Sequence, residues 1–273
     1  MRIKILFFLL ISLFFLSSCN IDEYLSIQRI NNFEDSQEGH SKEKTITTTS
    51  ESNNFSNEVK QGNFSSDDII EEKTVALTFD DGPDPNNTPK LLDILKQEKV
   101  NATFFVLGQN AQQYPEIVKV IANQGHEVGN HTYSHRNLSS LNIDELSTEI
   151  TATDEVIKNI TGEYPKYVRP PYGSLNRNAV QVINRPIIEW SVDSEDWRSR
   201  NVEEIIKKVQ STVYDGSIIL LHDIHSETIQ AIPTIIRILK EQGYEFKNIS
   251  NLLGNPIINE NYYGKDDHRP VEN

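Results

Sequence analysis

Short apolar segments alternate with longer amphipathic segments between residues 73 and 246, and this alternation constrains the fold most strongly. Residues 74–79 and 102–107 are almost wholly apolar, as buried strands are. Residues 88–99 and 143–160 repeat their apolar positions at helical spacing. Strands that alternate with helices form a parallel sheet covered by helices. About seven such units predict an α/β fold, arranged as a compact and incomplete barrel.

The other predicted elements continue the same alternation. Further strands are predicted at residues 126–130, 167–168, 187–192, 217–221 and 244–246. Further helices are predicted at residues 114–123, 176–183, 202–213 and 228–242. Because chemistry in such barrels lies at the C-terminal ends of the strands, functional motifs are expected directly after strands.

The first 18 residues have the pattern of a lipoprotein signal peptide. Arg2 and Lys4 precede an apolar stretch at residues 5–16, which is shorter than the roughly 20 residues of a membrane span. The Leu-Ser-Ser-Cys sequence that ends at Cys19 resembles a bacterial lipobox, whose cysteine is lipidated. The alternatives are an ordinary signal peptide with a chance cysteine, or a retained anchor. We predict a signal peptide at 1–18 and a lipid anchor at Cys19 that holds the protein on the outer face of a bacterial membrane.

Composition divides the rest of the chain. Residues 19–72 are polar, and residues 20–72 carry twelve acidic and four basic side chains, a net charge of −8. Such a segment cannot bury enough surface to offset the entropy of ordering it, so it is predicted to be a disordered tether. A catalytic domain is predicted at 73–253 and a polar tail without assigned function at 254–273. The overall charge of −14 argues against nucleic-acid binding, and a monomer is expected.

Carboxylates and histidines follow two of the predicted strands. Asp80 and Asp81 precede a Gly-Pro turn, and adjacent carboxylates repel unless a positive group lies beside them, although a solvated acidic turn is the alternative. If the segment after the third strand turns helically, the imidazoles of His131 and His135 share one face and can bind one metal. Because Cys19 is the single cysteine, a metal site must use His, Asp or Glu. Asp81 can be the third ligand and Asp80 a nearby base.

Three further motifs follow later strands. Arg169 begins an Arg-Pro-Pro-Tyr-Gly loop and can hold a carboxylate, or can form a structural salt bridge. Trp190 and Trp197 lie in one octet; Trp197 can stack on sugar or wall an acyl pocket, whereas core packing suits Trp190 better. His222 ends a strand, where a lone histidine is often structural.

These five motifs, each at a strand end and in this order, resemble the polysaccharide deacetylases with a NodB homology domain, carbohydrate esterase family four. The resemblance covers roughly residues 73–249 and implies a distorted (β/α) barrel. It implies that Asp81, His131 and His135 bind a divalent metal, usually zinc, with cobalt, nickel or manganese as alternatives. It also implies that Asp80 is the general base and that Arg169 orients it.

The resemblance assigns roles to five further residues. His222 is implied to be the general acid, with Asp193 paired to it. The Tyr172 backbone N–H is implied to help bind the oxyanion, and Leu220 and Trp197 to shape a pocket for the acetyl methyl group. The function expected from the resemblance is a hydrolase that removes N-acetyl groups from N-acetylglucosamine units of a cell-envelope polysaccharide, with peptidoglycan the leading candidate.

Other readings of the sequence remain open. Chitin oligomers, poly-N-acetylglucosamine and acetylated xylan are alternative substrates within the family. An inactive sugar-binding surface lipoprotein is the alternative from another class, and the absence of a ligand or base would support it. A different metal hydrolase, such as a peptidase or phosphoesterase, explains the ligands but not the order of the five motifs.

Overall fold

The computed structural model describes residues 72–270, so the predicted signal peptide, Cys19 and nearly all of the predicted tether lie outside the described residues. The strands are β1 Lys73–Asp80, β2 Thr103–Val106, β3 Glu127–Asn130, β4 Ile187–Ile188, β5 Val192–Asp193, β6 Ser217–His222, β7 Tyr244–Phe246, β8 Glu260–Tyr262 and β9 His268–Pro270. The helices are α1 Thr88–Glu98, α2 Gly108–Gln113, α3 Pro115–Asn123, α4 Ile143–Thr161, α5 Arg177–Ile183, α6 Asp196–Ser199, α7 Val202–Thr212, α8 Ser226–Glu241 and α9 Ile249–Leu253. Within residues 72–270, no helix combines the length and the apolar character that crossing a membrane requires.

A curved parallel sheet forms the centre of the fold. Its strand order is β3-β2-β1-β6-β5, and β7 pairs with the start of β1. Single bridges link Asn130 to Val168 and Val168 to Ile187, and so carry the sheet on to β4 and β8. The predicted α/β fold and the distorted, incomplete (β/α) barrel are confirmed.

The two faces of strand β1 have different surroundings: one packs against the helices and the other lines the inside of the barrel. Val75, Leu77 and Phe79 face outward, where they pack with helix residues such as Leu91 and Leu95 in the main hydrophobic cluster. Because successive side chains of a strand alternate between the two faces, Ala76, Thr78 and Asp80 face the barrel interior. Asp80 therefore ends a strand with its carboxylate directed inward.

The barrel is incomplete where prolines interrupt its pairing. The strand predicted at residues 167–168 pairs only through Val168, and Pro165 and Pro170, which lack N–H donors, lie close on either side. The strand predicted at residues 187–192 is divided into β4 and β5.

The chain beyond residue 253 contributes to the fold. Strand β8 pairs in parallel with β4 and in antiparallel with β9, and the ring of Tyr262 is buried. Folded structure thus continues past residue 253. The composition stays polar because all three residues of β9 are exposed and β8 contributes Glu260 and Asn261.

Candidate active site

The predicted site residues converge on one cavity of about 390 Å³ at the C-terminal ends of the parallel strands. The cavity is lined by Asp80, Asp81, His131, His135, Pro170, Tyr172, Trp190, Asp193, Trp197, Leu220 and His222. Every predicted site residue of the described region lines it except Arg169, which is buried behind Asp80. A larger cavity of about 530 Å³, lined by residues such as His126 and Tyr164, contains none of them, so volume alone does not locate the chemistry.

Parallel register brings the first and last motifs together. Asp80 at the end of β1 is the register partner of His222 at the end of β6. On the other side of β1, Asp80 is opposite Phe105 of β2. Residues 142 positions apart in the chain therefore lie on adjacent strands at the same edge of the sheet.

Asp81, His131 and His135 form a candidate metal site. Their ligand atoms all lie within 4.8 Å of one another. Oδ1 of Asp81 is 3.4 Å from Nε2 of His131 and 3.3 Å from Nε2 of His135. This oxygen is buried and has no hydrogen-bond partner among residues 72–270, which is costly unless another group binds it. Two imidazole nitrogens and one carboxylate oxygen match the donor set of catalytic zinc, so these residues fit the expected ion.

A hydrogen bond at Nδ1 of each imidazole orients the ring so that its Nε2 points toward Asp81. Nδ1 of His131 lies 2.7 Å from the carbonyl oxygen of Arg169 and can donate its proton to it. Nδ1 of His135 lies 3.1 Å from the Tyr172 hydroxyl. Sequence reasoning did not foresee this role for the Tyr172 side chain, because the contact joins loops 37 residues apart.

The two histidines do not lie on a helix, so the helical turn considered for residues 131–135 is wrong. Instead the segment is a loop in which Thr132 and His135 adopt φ values of 69° and 61°. These two left-handed residues turn the chain back sharply, and both rings point at the same carboxylate.

Electrostatics favour a charged Asp81. Burial raises the pKa of this carboxyl group. The imidazole of His131, whose Nε2 lies 3.4 Å from Oδ1, and the charges of His222 and His135 outweigh that effect and hold the pKa of Asp81 below its usual range. The Asp81 carboxylate is therefore ionised at neutral pH, as a metal ligand must be.

Asp80 is held by a fully buried arginine. Asp80 is 2% exposed and its Oδ1 accepts a 2.8 Å hydrogen bond from Nη1 of Arg169, which is 0% exposed. The guanidinium also donates to the Thr78 hydroxyl and to the carbonyls of Ile188 and Glu189. These four hydrogen bonds fix the guanidinium, and with it the orientation of the Asp80 carboxylate.

His222 is paired with Asp196, and the pairing with Asp193 implied by the family resemblance is wrong. Nδ1 of His222 lies 2.7 Å from Oδ1 of Asp196, a carboxylate that also accepts from the Thr228 hydroxyl and the His222 backbone N–H. Oδ1 of Asp193 instead accepts the backbone N–H of Glu195, which turns the chain into α6. Three acidic residues lie within residues 193–196, and sequence spacing does not show which one faces His222.

The pairing keeps His222 charged. Burial lowers the pKa of His222, but the hydrogen bond and the charge of Asp196 raise it to about 9. The ring can therefore donate a proton from Nε2 while Asp196 occupies Nδ1.

Aromatic and apolar side chains shape the mouth of the cavity. The Trp197 and Tyr172 side chains are 50% and 69% exposed, whereas Leu220 is buried against the cavity wall. Tyr172 has a left-handed φ of 63° within the turn Pro171–Gly173. The exposed rings can contact a sugar, and Leu220 offers an apolar surface to a small acyl group.

Comparisons with known proteins agree with this geometry. The sequence profile of the family described as polysaccharide deacetylase matches residues 67–186. A peptidoglycan-N-acetylglucosamine deacetylase of Bacillus cereus is 45% identical over 186 residues, which are 66% of this chain and 68% of that protein. The Listeria monocytogenes peptidoglycan-N-acetylglucosamine deacetylase PgdA is 44% identical over 73% of this chain, and the match spans only 43% of PgdA.

The fold is also similar to that of a solved peptidoglycan deacetylase structure. The peptidoglycan deacetylase PdaC of Bacillus subtilis superposes with a TM-score of 0.65 at 42% identity, covering 67% of this chain and 90% of that structure. PdaC is named a peptidoglycan-N-acetylmuramic acid deacetylase. Since the Bacillus cereus relative is 45% identical and is matched over 68% of its length, this chain belongs to the polysaccharide deacetylase family.

Proposed function

We propose that this chain hydrolyses the N-acetyl groups of N-acetylglucosamine units in peptidoglycan, with a divalent metal ion as cofactor. The observation that carries the proposal is that Asp80 and His222 face one cavity, and that a buried neighbour holds one atom of each side chain. Arg169 occupies Oδ1 of Asp80, and Asp196 occupies Nδ1 of His222. Oδ2 of Asp80 and Nε2 of His222 are left available for proton transfer.

The metal ligands we propose are Asp81, His131 and His135, and zinc is the ion their donor atoms suit best, with cobalt, nickel or manganese as alternatives. When bound, such an ion supplies Lewis-acid chemistry that polarises an amide carbonyl and makes water a stronger acid. The buried, unpaired Oδ1 of Asp81 supports this assignment.

Asp80 and His222 then divide the proton transfers of amide hydrolysis. Asp80 accepts a proton as the water oxygen bonds to the acetyl carbonyl carbon, and the carbonyl oxygen gains negative charge. We propose that the Tyr172 backbone N–H donates a hydrogen bond to that oxygen. Nε2 of His222 donates its proton to the amide nitrogen as the C–N bond breaks. The products are acetate and a glucosamine unit with a free amine.

The proposed acyl pocket limits the group that is removed. Leu220 is buried at the wall of the cavity and Trp197 stands at its rim. A cavity of about 390 Å³ that must also admit part of a sugar leaves space for a small acyl group such as acetyl. Acetylated glycans share this small acyl group, and the choice of peptidoglycan rests on what the relatives in Listeria and Bacillus cereus are named for.

N-acetylmuramic acid is the second candidate substrate, because PdaC, at 42% identity, is named for it. The two sugars differ by a lactyl ether that carries a carboxyl group. Digestion and mass spectrometry of treated cell wall therefore identify which sugar has lost its acetyl group.

The substrate test uses purified peptidoglycan and the metal-loaded chain. After incubation and digestion to muropeptides, we expect loss of acetyl from N-acetylglucosamine only, and the Asp80→Asn variant is the matched control. Loss from muramic acid alone, or no loss from cell wall alongside rapid acetate release from xylan, would overturn the proposed substrate. No release from any acetylated glycan would favour the inactive sugar-binding alternative.

We also propose that Cys19 anchors the protein on the outer face of a bacterial membrane. A flexible tether over residues 20–72 would have a root-mean-square reach of roughly 40 Å. Anchoring raises the local concentration of the enzyme over glycan near the membrane. The Cys19→Ser variant should move from the membrane fraction to the soluble or secreted fraction and lose labelling by a lipid precursor. Wild-type protein that takes up no lipid label would refute the anchor.

A further inference from the structure

The loop that carries both histidine ligands has a backbone that requires support. Thr132 and His135 have φ values of 69° and 61°, a region that residues other than glycine occupy at an energetic cost. Such conformations persist only where the surrounding structure imposes them. The position of Nε2 in both His131 and His135 depends on this backbone, so whatever holds the loop also holds the ligands.

One side of the loop is held through its carbonyl groups. The carbonyl oxygens of Thr132 and Tyr133 accept hydrogen bonds from the backbone N–H groups of Gly108 and Gln109, at 2.9 and 3.0 Å. These are the first N–H groups of α2, which have no partner within their own helix. A Cβ at Gly108 would lie 2.6 Å from the Tyr133 ring and 2.5 Å from the hydroxyl of Thr153. Glycine thus allows α2, α4 and the loop to pack closely.

The other side of the loop is held by a single carboxylate from α4. Oε2 of Glu149 accepts the backbone N–H groups of Tyr133 and Ser134 at 2.9 and 2.8 Å, and its Oε1 accepts the Ser134 hydroxyl at 2.6 Å. Glu149 is 6% exposed. All of its side-chain hydrogen bonds within residues 72–270 go to these two residues, which lie between the two histidines.

We propose that Glu149 is a positioning residue for the metal site. It fixes the backbone at Tyr133 and Ser134, so that His131 and His135 both present Nε2 to Asp81. The residue lies outside the cavity lining and does not touch substrate. This inference rests on the proposed metal-dependent function, since it concerns the affinity and geometry with which the three ligands bind the ion.

A carboxylate suits this position better than an amide. Glu149 provides acceptors for three donors, and Oε2 alone takes two of them. An amide in its place has one oxygen and an NH₂ group that would face an N–H or O–H donor. Removing an outer partner of a metal ligand commonly weakens metal binding or activity by about 10- to 100-fold.

The test measures metal binding directly in the full chain. Zinc affinity of metal-stripped protein is determined by competition with a chromophoric chelator, and the visible spectrum of the cobalt-loaded protein reports ligand geometry. We expect Glu149→Gln to weaken zinc binding by about tenfold or more and to change the cobalt bands. The matched control is Glu155→Gln, the same substitution on the exposed face of α4, where the Glu155 carboxylate accepts a hydrogen bond from the Tyr164 hydroxyl.

A second variant keeps the test informative if Glu149→Gln folds poorly. Glu149→Asp retains the charge but is shorter, and we expect its zinc affinity to lie between those of wild type and Glu149→Gln. Zinc affinity within twofold of wild type and unchanged cobalt bands in a folded variant would overturn the positioning role, even if that variant is less stable. Wild-type protein that binds neither ion would instead overturn the proposed function, and this inference with it.

Discussion

The ion pair between Arg169 and Asp80 gives the sharpest prediction about stability. Both side chains are almost fully buried. The guanidinium donates four hydrogen bonds, two to side chains of β1, one to a carbonyl of β4 and one to the carbonyl of the residue after β4. Removing one partner of a buried pair leaves an uncompensated charge and costs about 3 to 5 kcal/mol. Since domains of this size are stabilised by about 5 to 15 kcal/mol, Arg169→Met should lose a large part of the total.

A double-mutant cycle separates the pair from the packing around it. Asp80→Asn should destabilise the wild-type protein, because it leaves the Arg169 cation buried without a counter-charge. In the Arg169→Met background the same change removes a buried carboxylate that keeps only a 3.7 Å contact with Nε2 of His131, so it should cost less than in wild type or be stabilising. We expect a coupling free energy of at least about 2 kcal/mol.

The assay is urea unfolding followed by far-ultraviolet circular dichroism, with chelator present so that metal binding does not contribute. Circular dichroism is preferable to tryptophan fluorescence because Trp190 and Trp197 both line the cavity.

Arg185→Met is the control variant. Its ion pair with Asp154, at 2.9 Å, is partly exposed, so its loss should cost less stability. If Arg169→Met does not fold, Arg169→Lys keeps the charge but not the four hydrogen bonds, and its loss of stability measures the contribution of those hydrogen bonds. Additivity of the two changes within about 0.5 kcal/mol would refute the reasoning.

Two further predictions concern acidic side chains and pH. Asp196→Asn should lower turnover by roughly 100-fold or more, because it removes the partner that keeps His222 protonated. Asp193→Asn should lower turnover less, since Asp193 binds the Glu195 backbone instead. A larger loss in Asp193→Asn than in Asp196→Asn would contradict the observed pairing. Burial lowers the pKa of His126 from 6.5 to about 4, and its Nδ1 accepts the Ala102 N–H. The unfolded chain therefore binds the proton first as pH falls below 6.5, and about 2 kcal/mol of stability should be lost at pH 5. His126→Gln should remove this component in urea unfolding at pH 7.5 and pH 5, and an unchanged pH dependence would contradict it.

The sequence predicted the central strands and the convergence of the site well, because both depend on strong local patterns. The apolar run at residues 74–79 lies within β1, and polar residues directly after parallel strands necessarily meet at one edge of the sheet. Asp80, Asp81 and His222 each lie at or directly after the end of a strand, and all three line the cavity.

Two contacts between residues distant in sequence were not predicted. The choice of Asp196 over Asp193 depends on how α6 turns toward β6, and no periodicity distinguishes the two. The role of Glu149 depends on α4 packing beside a loop that precedes it in the chain by 15 residues. In the sequence Glu149 is one of several acidic residues on an amphipathic helix, and charge alone carries no indication of a buried partner.

The central claim is that Asp80 and His222 transfer protons beside a metal site. One comparison tests this claim most directly. Acetate release from N-acetylglucosamine oligomers is measured for wild type and for Asp80→Asn, together with the zinc content of each protein. We expect wild-type release to stop on chelation and return with zinc, and Asp80→Asn to retain zinc while losing roughly 100-fold or more of its turnover. Full activity in metal-free wild type, or undiminished turnover in zinc-loaded Asp80→Asn, would contradict the account.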